Sequence, residues 1–184
     1  PAAAEPSGRR LPEAAARKYI RRMGIIRVLP PETARLIAAG EVIDRPASAL
    51  RELLDNAIDA GAAEISARIE EGGIGLIRVT DDGAGMDRED LELAALPHAT
   101  SKIRGADDLL RTRTLGFPGE ALASIAAAAG LELLSMAGSA RSAYRLRSRP
   151  GAAPALEAAA GRAGTSVSVT ELFKDFPARR QFLK

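Results

Sequence analysis

The segment from Ala49 to Ala62, ALRELLDNAIDAGA, has the hydrophobic pattern of an amphipathic helix. At about 100° per residue, its polar residues share one stripe about 100° wide, opposite the apolar residues. The apolar side is formed by Leu50, Leu53, Leu54, Ala57 and Ile58, and the polar stripe by Glu52, Asp55, Asn56 and Asp59. A solvated helix face explains such a stripe. However, no Lys or Arg lies between positions 52 and 59, and clustered carboxylate and amide oxygens also suit a hard cation such as Mg²⁺.

Alternation of apolar and polar residues predicts the strands of a sheet. The segments with this pattern are GIIRVLP, EISARIEEGG, LIRVTDDGAGM, LELLSM, SAYRLRS and GTSVSVTELF. Further helices are predicted at Glu32 to Ala39, in MDREDLELAAL and in LGFPGEALASIAAAAG, whereas Pro150 to Gly164 is predicted to be a connection. Helices early and strands later indicate an α+β fold, with helices on one face of a mixed, mostly antiparallel sheet.

The composition excludes several classes of function. The 184 residues include no Cys, which excludes disulfides, thiolate metal sites and a cysteine nucleophile. No apolar run approaches the roughly 18 residues that cross a bilayer, and the N-terminus lacks the apolar core of a secretory signal. We therefore expect a cytoplasmic protein that does not act in a membrane.

Positive charge is concentrated in residues 1–22, which contain six Lys or Arg and two Glu. The other 162 residues carry a net charge of −2, so the basic pI is weak evidence that the folded body binds nucleic acid. Residues 1–22 are predicted to be a mobile arm, either dispensable or in contact with a phosphate backbone. The folded domain is predicted at residues 23–184.

Two glycine-rich segments add candidate chemistry. In DDGAGM, Gly83 and Gly85 either form a turn or permit close approach of a ligand. The ionised Asp81 offers only hydrogen-bond acceptors, so it can recognise an exocyclic amine such as that of adenine. In LGFPGEALASI, Gly116 and Gly119 precede a predicted helix, where backbone N–H groups attract phosphate. Each segment alone is also explained as a structural turn.

Taken together, six segments resemble, in order and spacing, the N-terminal ATPase region of the MutL family of DNA mismatch-repair proteins. They are IAAGEVIDRPASALRELLDNAIDAGA, DDGAGM, HATSKI, LGFPGEALASI, GTSVSV and FPARRQFL. That family belongs to the GHKL superfamily, with gyrase B subunits, heat-shock chaperones and sensor histidine kinases. The resemblance spans nearly all of the chain beyond the arm, and it implies the GHKL (Bergerat-type) two-layer sandwich.

The resemblance also implies roles for individual residues. Glu52 matches the general base that activates the attacking water, and Asn56 matches the residue whose side-chain oxygen holds Mg²⁺. Asp81 matches the carboxylate that recognises adenine, Thr165 matches a hydroxyl that supports it, and Asp59 looks like a structural partner. Other positions that match the binding site for ATP are Gly83, Gly85, Met86, Thr100, Ser101, Lys102, Leu115, Gly116, Phe117, Gly119, Glu120, Ala121 and Leu122, of which Lys102 and the loop 116–119 resemble the ATP lid.

Several positions depart from the family pattern. Pro97 and Pro118 stand where the family commonly has Arg, and Pro118 removes both a backbone donor and a cation. Asp82 replaces a common Asn beside the base pocket, and Asp175 and Phe176 replace the usual Asn-Thr before Pro-Ala-Arg-Arg. Relatives continue into a second, transducer domain that contributes a Lys to the phosphates. We therefore expect ATP binding with slow or undetectable hydrolysis.

The function implied by the resemblance is a molecular switch. ATP would promote a homodimer and couple recognition by a MutS-like protein to downstream repair factors, with weak, largely sequence-independent DNA binding. One alternative is a degenerate nucleotide-binding scaffold without turnover; another is a sensor kinase, for which the sequence shows no phospho-accepting helix. His98 is expected in the lid or in packing, because one His supplies no metal set. Arg179 and Arg180 either contact DNA phosphates or form ion pairs within the domain.

Overall fold

The computed structural model describes residues 28–30, 37, 42–97, 99, 120–181 and 183. Apart from the exposed residues 28–30, which belong to a separate unit Pro1–Pro30, they all fall in the unit Pro31–Lys184. The predicted arm and its boundary at residues 22 and 23 lie outside the described residues, and so do His98 and most of the predicted helix at 32–39. The same holds for the predicted ATP-binding residues 100–102, 115–117 and 119, including the predicted lid at Lys102 and 116–119.

The described part contains four helices and six strands. The helices are α1 (Pro46–Asp59), α2 (Arg88–Leu93), α3 (Ala121–Ala128) and α4 (Pro177–Gln181). The strands are β1 (Ile65–Glu70), β2 (Leu76–Asp81), β3 (Gly130–Met136), β4 (Ala143–Ser148), β5 (Ala155–Ala159) and β6 (Gly164–Thr170). A 3₁₀ turn, Glu71–Gly73, joins β1 to β2. None of the described helices is long and apolar enough to cross a membrane.

The sheet has the strand order β1-β2-β6-β3-β4-β5. Every pairing between the described strands is antiparallel, so no parallel pair of a mixed sheet is present among them. The last strand, β6, lies between β2 and β3, and it joins two parts of the sheet that are far apart in sequence. The α+β sandwich predicted from the sequence is confirmed.

The prediction for residues 150–164 was wrong, because this stretch contains the edge strand β5. Its sequence, ALEAA, has weak alternation, and most of the strand is exposed. It is held by backbone pairing with β4, in which Leu156 lies opposite Leu146. An edge strand that buries little apolar surface leaves little hydrophobic pattern in the sequence.

The two faces of the sheet differ in what covers them. Alternation directs Ile77, Val79, Leu133, Val167 and Val169 to the face covered by the helices, where each is nearly or fully buried. Alanine, leucine and isoleucine from the helices complete this core. The opposite face is polar and open to solvent, which is typical of an antiparallel sheet covered on one side. We call these the helix face and the polar face.

The C-terminal turn packs against the segment that precedes α1. Phe173 is fully buried, and the ring of Phe176 meets its ring edge-on at 6.3 Å. The guanidinium of Arg179 lies 5.2 Å from the centroid of the Phe173 ring and donates a hydrogen bond to the carbonyl oxygen of Ile43. These two contacts hold the side chain of Arg179 against other residues of the same domain.

Candidate functional site

Helix α1 is rotated relative to the orientation that its apolar pattern predicts. Its fully buried line consists of Ala49, Leu53 and Ala57, whereas Ile58 is 62% exposed. Small residues allow the helix to approach β2 closely, and this contact decides which side of the helix is buried. The rotation brings one edge of the polar stripe toward the domain interior.

The polar stripe of α1 therefore divides into an inner and an outer pair. Glu52 and Asn56, at the margin of the buried line, are partly buried, whereas Asp55 and Asp59 are exposed. Arg51 lies 3.6 Å from Asp55 in an ion pair, so a base outside the stripe balances one of the outer acids. Only the inner pair combines oxygen ligands with partial shelter from solvent.

The C-terminal end of α1 touches the glycine-rich turn that follows β2. The backbone N–H of Ala84 donates to the carbonyl oxygen of Ala60 at 2.9 Å. A Cβ atom added at Gly83 would lie 2.8 Å from the Cβ of Ala60, so the two backbones are in close contact. Asn56 precedes Ala60 by one helical turn and Glu52 precedes it by two, about 6 and 12 Å along the helix axis. The end of β2, Asn56 and Glu52 thus follow one another in a line.

Asp81 is a buried carboxylate at the end of β2. Its side chain lies on the helix face, and the residue is only 6% exposed. The backbone N–H of Gly83 donates to its Oδ1 at 3.0 Å. Burial raises the pKa of Asp81, and the backbone N–H groups of Gly83 and Thr165 oppose this rise by stabilising the carboxylate. A carboxylate sheltered from water in this way binds a hydrogen-bond donor strongly.

Asp82, the next residue, is exposed and has a different role. Its Oδ1 accepts hydrogen bonds from the backbone N–H groups of Ala63 and Glu64, each at 2.8 Å. The bonds from Glu64 and Ala63 lower the pKa of Asp82. Its carboxylate ties the connection between α1 and β1 to the end of β2, which is a structural role that the sequence did not reveal.

Two glycines allow backbone segments to pass close to one another beside Asp81. Gly85 has a φ of 67°, and a Cβ there would collide with the carbonyl of Met136. Gly164 has a φ of 107°, and a Cβ there would collide with the carbonyl of Asp81. Any side chain at either position would push β2, β3 and β6 apart at the site.

Ser135 completes the cluster and was not among the predicted residues. Its hydroxyl lies 2.8 Å from the hydroxyl of Thr165 and accepts a hydrogen bond from the backbone N–H of Met86 at 2.8 Å. It also lies 3.2 Å from the carbonyl oxygen of Gly164, to which it can donate. The signal was present in LELLSM, where alternation assigns position 135 to the same buried face as Leu133. A polar residue in an apolar register indicates a specific buried hydrogen bond.

Of the predicted residues, five therefore come together at the ends of β2 and β6: Asp81, Gly83, Gly85, Met86 and Thr165. Glu52 and Asn56 lie along α1, which contacts β2. Glu120 precedes α3, the side chain of Ala121 is buried, and Leu122 packs against the core. Helix α3 contacts both α1 and β3.

The described residues contain no cluster of three or more His, Cys, Asp or Glu side chains that could hold a metal ion. A dedicated all-protein metal site is therefore absent from this part of the chain. Mg²⁺ that arrives with phosphates needs only one or two protein oxygens. The side-chain oxygen of Asn56 fits that requirement.

A separate cavity of about 190 Å³ lies on the polar face of the sheet. Thr80, Leu134 and Ser166 of three adjacent strands line it, together with the loop 161–163. The hydroxyl of Thr80 lies 2.8 Å from that of Ser166. The lining also includes Asp81, Gly164 and Thr165, so the cavity lies beside the segment where β2 and β6 meet at the site.

Comparisons with known proteins identify close relatives. The family described as histidine kinase-, DNA gyrase B-, and HSP90-like ATPase matches residues 44–153, which is more than half of the chain. The chain is 51% identical over 160 residues to the DNA mismatch repair protein MutL of Pseudomonas fluorescens, covering 86% of this chain and 25% of that protein. It is 52% identical over 162 residues to MutL of Acidobacterium capsulatum, covering 88% of this chain and 24% of that protein.

Solved structures show the same architecture. The N-terminal domain of a DNA repair protein aligns with a TM-score of 0.66 and 32% identity, over 80% of this chain and 42% of that one. The Aquifex aeolicus MutL ATPase domain complexed with ADP aligns with a TM-score of 0.62 and 28% identity, over 78% of this chain and 49% of that one. The chain thus spans about a quarter of the length of the curated relatives that it matches and under half of these two solved chains.

Proposed function

The chain belongs to the histidine kinase-, DNA gyrase B- and HSP90-like ATPase family, and from this premise we propose that it binds ATP with Mg²⁺ along α1. The base lies at the end of β2 and the phosphates lie beside the inner pair of α1. The end of β2, Asn56 and Glu52 follow one another in the direction of the axis of α1. This order supports the proposed orientation, because it matches the order of base and phosphates in a nucleotide.

The observation that carries the proposal is the buried carboxylate of Asp81. It accepts a hydrogen bond from the backbone N–H of Gly83, and the residue is 6% exposed. Its remaining acceptor capacity suits the exocyclic amine of adenine. An ionisable group buried at the end of a strand, next to glycines that allow close approach, is a feature of binding sites. A MutL ATPase domain of similar fold is complexed with ADP.

Asn56 and Glu52 perform the phosphate chemistry in this proposal. The side-chain oxygen of Asn56 holds Mg²⁺, which when bound neutralises charge on the phosphates. Glu52 orients the attacking water and accepts its proton. Both residues lie on the same side of α1, one helical turn apart, so they can act on neighbouring atoms of the phosphate chain. The proposed site also includes the predicted ATP-binding residues 100–102, 115–117 and 119–122.

The biological role follows from the relatives. We propose that the chain is part of a MutL-like protein that acts in DNA mismatch repair in the cytoplasm. Binding of ATP drives dimerisation, and the dimer couples a MutS-like recognition protein to downstream factors while it contacts DNA weakly. The similarity to MutL proteins at about 50% identity supports this role.

The first test is binding of ATP measured by calorimetry with and without Mg²⁺. The parent is expected to bind ATP more tightly with Mg²⁺, and Asn56→Ala is expected to lose that dependence. Asp55→Ala is the matched control, because Asp55 is on the same helix but is exposed and paired with Arg51. An Asn56→Ala variant that keeps the full effect of Mg²⁺ would remove Asn56 from the metal site.

The second test separates hydrolysis from binding. Glu52→Ala is expected to keep its affinity for ATP and to lose turnover, because the base acts on the water and not on the nucleotide. If the variant hydrolyses ATP as fast as the parent, Glu52 is not the base. The comparison is made on the full-length protein, because slow or undetectable hydrolysis is expected of this chain alone. If the full-length parent binds ATP but shows no turnover, the domain is a nucleotide-binding module without catalysis, which is the alternative predicted from its sequence.

A further inference from the structure

The N-terminal end of α1 has no side-chain cap, although this helix carries Glu52 and Asn56. Arg45 occupies the N-cap position without a side-chain hydrogen bond, and the first turn contains no acidic residue. Such groups normally stabilise a helix start, because the first backbone N–H groups have no partner within the helix. The position of this end of α1 therefore depends on contacts outside the helix.

Arg179 of the C-terminal turn supplies such a contact. Its Nη1 donates a hydrogen bond of 3.1 Å to the carbonyl oxygen of Ile43, which shortly precedes the helix. Ile43 is fully buried, so it anchors the chain at the entry to α1. The guanidinium of Arg179 also lies over the ring of Phe173, 5.2 Å from its centroid. A cation held against an aromatic face has little freedom, so the hydrogen-bond donor is held in place before it acts.

Phe173 is itself fixed in the core. It is fully buried, and its backbone N–H donates to the carbonyl oxygen of Ala128, the last residue of α3, at 2.9 Å. Its φ of 60° lies in the left-handed region, which is unfavourable for a bulky side chain. Such a conformation persists only where the surrounding structure holds it, and it is found often at functional sites. The C-terminal turn thus joins the end of α3 to the start of α1.

The two ends of α1 are held by different parts of the molecule. At the C-terminal end, the carbonyl oxygen of Ala60 accepts the N–H of Ala84 in the glycine-rich turn. Asn56 lies within one turn of this end, whereas Glu52 lies near the middle of the helix. A shift of the N-terminal end, which Arg179 holds, should therefore displace Glu52 more than Asn56.

We propose that Arg179 is a positioning residue that fixes the N-terminal end of α1 and thereby places Glu52 for attack of water on the phosphates. This proposal rests on the function proposed above, in which Glu52 accepts the proton of that water. Asn56 and Asp81 are held at the other end of the site, so Arg179 acts on hydrolysis and not on nucleotide binding. A side chain of the C-terminal turn thus controls the catalytic step through α1.

The test compares turnover and affinity in the full-length protein. Hydrolysis at saturating ATP gives kcat, and calorimetry with Mg²⁺ gives the affinity and the number of binding sites. Arg179→Ala is expected to lower kcat per binding site about ten- to a hundredfold, because misplacement of a catalytic group by about 1 Å has an effect of this size. The affinity for ATP should change less than about twofold. Arg179→Lys keeps a cation and a donor near the ring, so it should restore part of the lost turnover.

Two variants serve as controls. Arg180→Ala removes the neighbouring exposed arginine of the same short helix, so it should leave kcat and affinity unchanged. Leu156→Ala, in edge strand β5, weakens the packing of the core away from α1. A smaller folded fraction cancels when turnover is expressed per binding site, so Leu156→Ala should keep its kcat. The same loss of kcat in Leu156→Ala as in Arg179→Ala would show that lower stability is sufficient, and would overturn the proposal.

Amide hydrogen exchange locates the change in the nucleotide-free protein. The N–H groups of Ser48 and Ala49 bond to the carbonyl oxygen of Arg45 in the first turn of α1, whereas that of Ala84 bonds at the other end. Arg179→Ala should speed exchange in the first turn and leave exchange at Ala84 unchanged. Equal exchange in the parent and the variant would show that Arg179 does not hold this end of α1, and would overturn the proposal.

The outcomes also distinguish this proposal from the one on which it rests. A parent that binds no ATP overturns both. A parent that binds ATP without turnover overturns the role of Arg179 and leaves the nucleotide site standing. So does an Arg179→Ala variant that keeps its kcat, or that loses kcat and affinity in equal measure. A loss of kcat at unchanged affinity, partly restored in Arg179→Lys and absent in Arg180→Ala, supports the role.

Discussion

Two hydroxyl pairs lie one residue apart on opposite faces of the same sheet. Ser135 and Thr165 bond at 2.8 Å on the helix face, and Thr80 and Ser166 bond at 2.8 Å on the polar face. The first pair is buried among the groups that hold Asp81, whereas the second is partly exposed beside a shallow cavity. The two pairs consist of the same chemical groups, but the residues around them differ. Alternation along the strands thus decides whether a hydroxyl pair is buried beside Asp81 or lies near solvent.

The same contrast holds for charged residues. Asp81 is buried on the helix face and has a raised pKa. On the polar face, Arg145 and Arg147 of β4 lie between Glu132 of β3 and Glu157 of β5, in a ladder of ion pairs. These charges balance one another near the surface, where ion pairs contribute little to stability.

The largest expected difference between the two faces is in stability. Leu133 is fully buried on the helix face, so Leu133→Ala should lower the free energy of unfolding by about 2–5 kcal/mol. Its neighbour Leu134 is only partly buried on the polar face, and Leu134→Ala should lower it by about 1 kcal/mol. Urea denaturation measures both. Equal losses would contradict the assignment of one covered and one open face.

The second expected effect is that Asp81→Asn changes stability and ATP binding in opposite directions. Asp81→Asn removes a buried charge, so the melting temperature near pH 7 should rise. The same change places an amide donor where adenine offers a donor, so ATP affinity should fall about ten- to a hundredfold. Asp82→Asn is the matched control, since Asp82 is exposed and bonds only backbone N–H groups in the contacts described. Equal loss of affinity in both variants would show that Asp81 has no special part in recognition.

The adjacent carboxylates should also respond to pH in opposite directions. The pKa of Asp81 is raised in the folded state, so its contribution to stability is greatest at acid pH and is lost as the pH rises through that pKa. The pKa of Asp82 is lowered, so its contribution is present at neutral pH and is lost as the pH falls through the lowered value.

Thermal denaturation across a range of acid and neutral pH measures this difference. The advantage of Asp81→Asn over the parent should shrink as the pH falls. Asp82→Asn should lose stability more slowly than the parent under acid, because an amide keeps the acceptor but does not titrate. Parallel pH profiles for the parent and both variants would argue against the two opposite shifts.

The smallest expected effect is on the polar face. Arg147 donates to Glu132 and Glu157, at 2.8 Å each, but it is exposed. Arg147→Ala should lower the melting temperature less than Leu134→Ala does, because solvent screens these pairs. The difference in melting temperature between the parent and Arg147→Ala should nearly vanish in about 1 M salt, where the screening length is about 3 Å. A large loss of melting temperature that salt does not reduce would contradict the view that solvent screens these ion pairs.

Much of the fold could be predicted because alternation is a local signal. Five of the described strands follow from it, and so do the positions of Asp81 and Thr165 near strand ends. The resemblance to known ATPases added the roles, which no pattern of apolar residues contains. Asp55 and Asn56 illustrate the limit of what the sequence predicts. They are neighbours on one predicted stripe, but Asp55 is exposed and Asn56 is partly buried once the helix is packed.

The parts that could not be predicted depend on contacts between distant segments. Edge strand β5 is held by backbone pairing with β4, and Arg179 is held by Phe173 and Ile43, which no local pattern reports. The sequence left Arg179 between DNA contact and intramolecular contact. The described structure gives it partners within the domain.

The sequence by itself determined which residues alternate, where the glycines fall and which residue types are available for chemistry. Only the tertiary structure decided how far α1 is rotated, that Ser135 meets Thr165, and that Asp81 is buried while Asp82 is not. The physical reason is that periodicity arises within one segment, whereas burial and hydrogen-bond partners arise where segments far apart in the chain pack together.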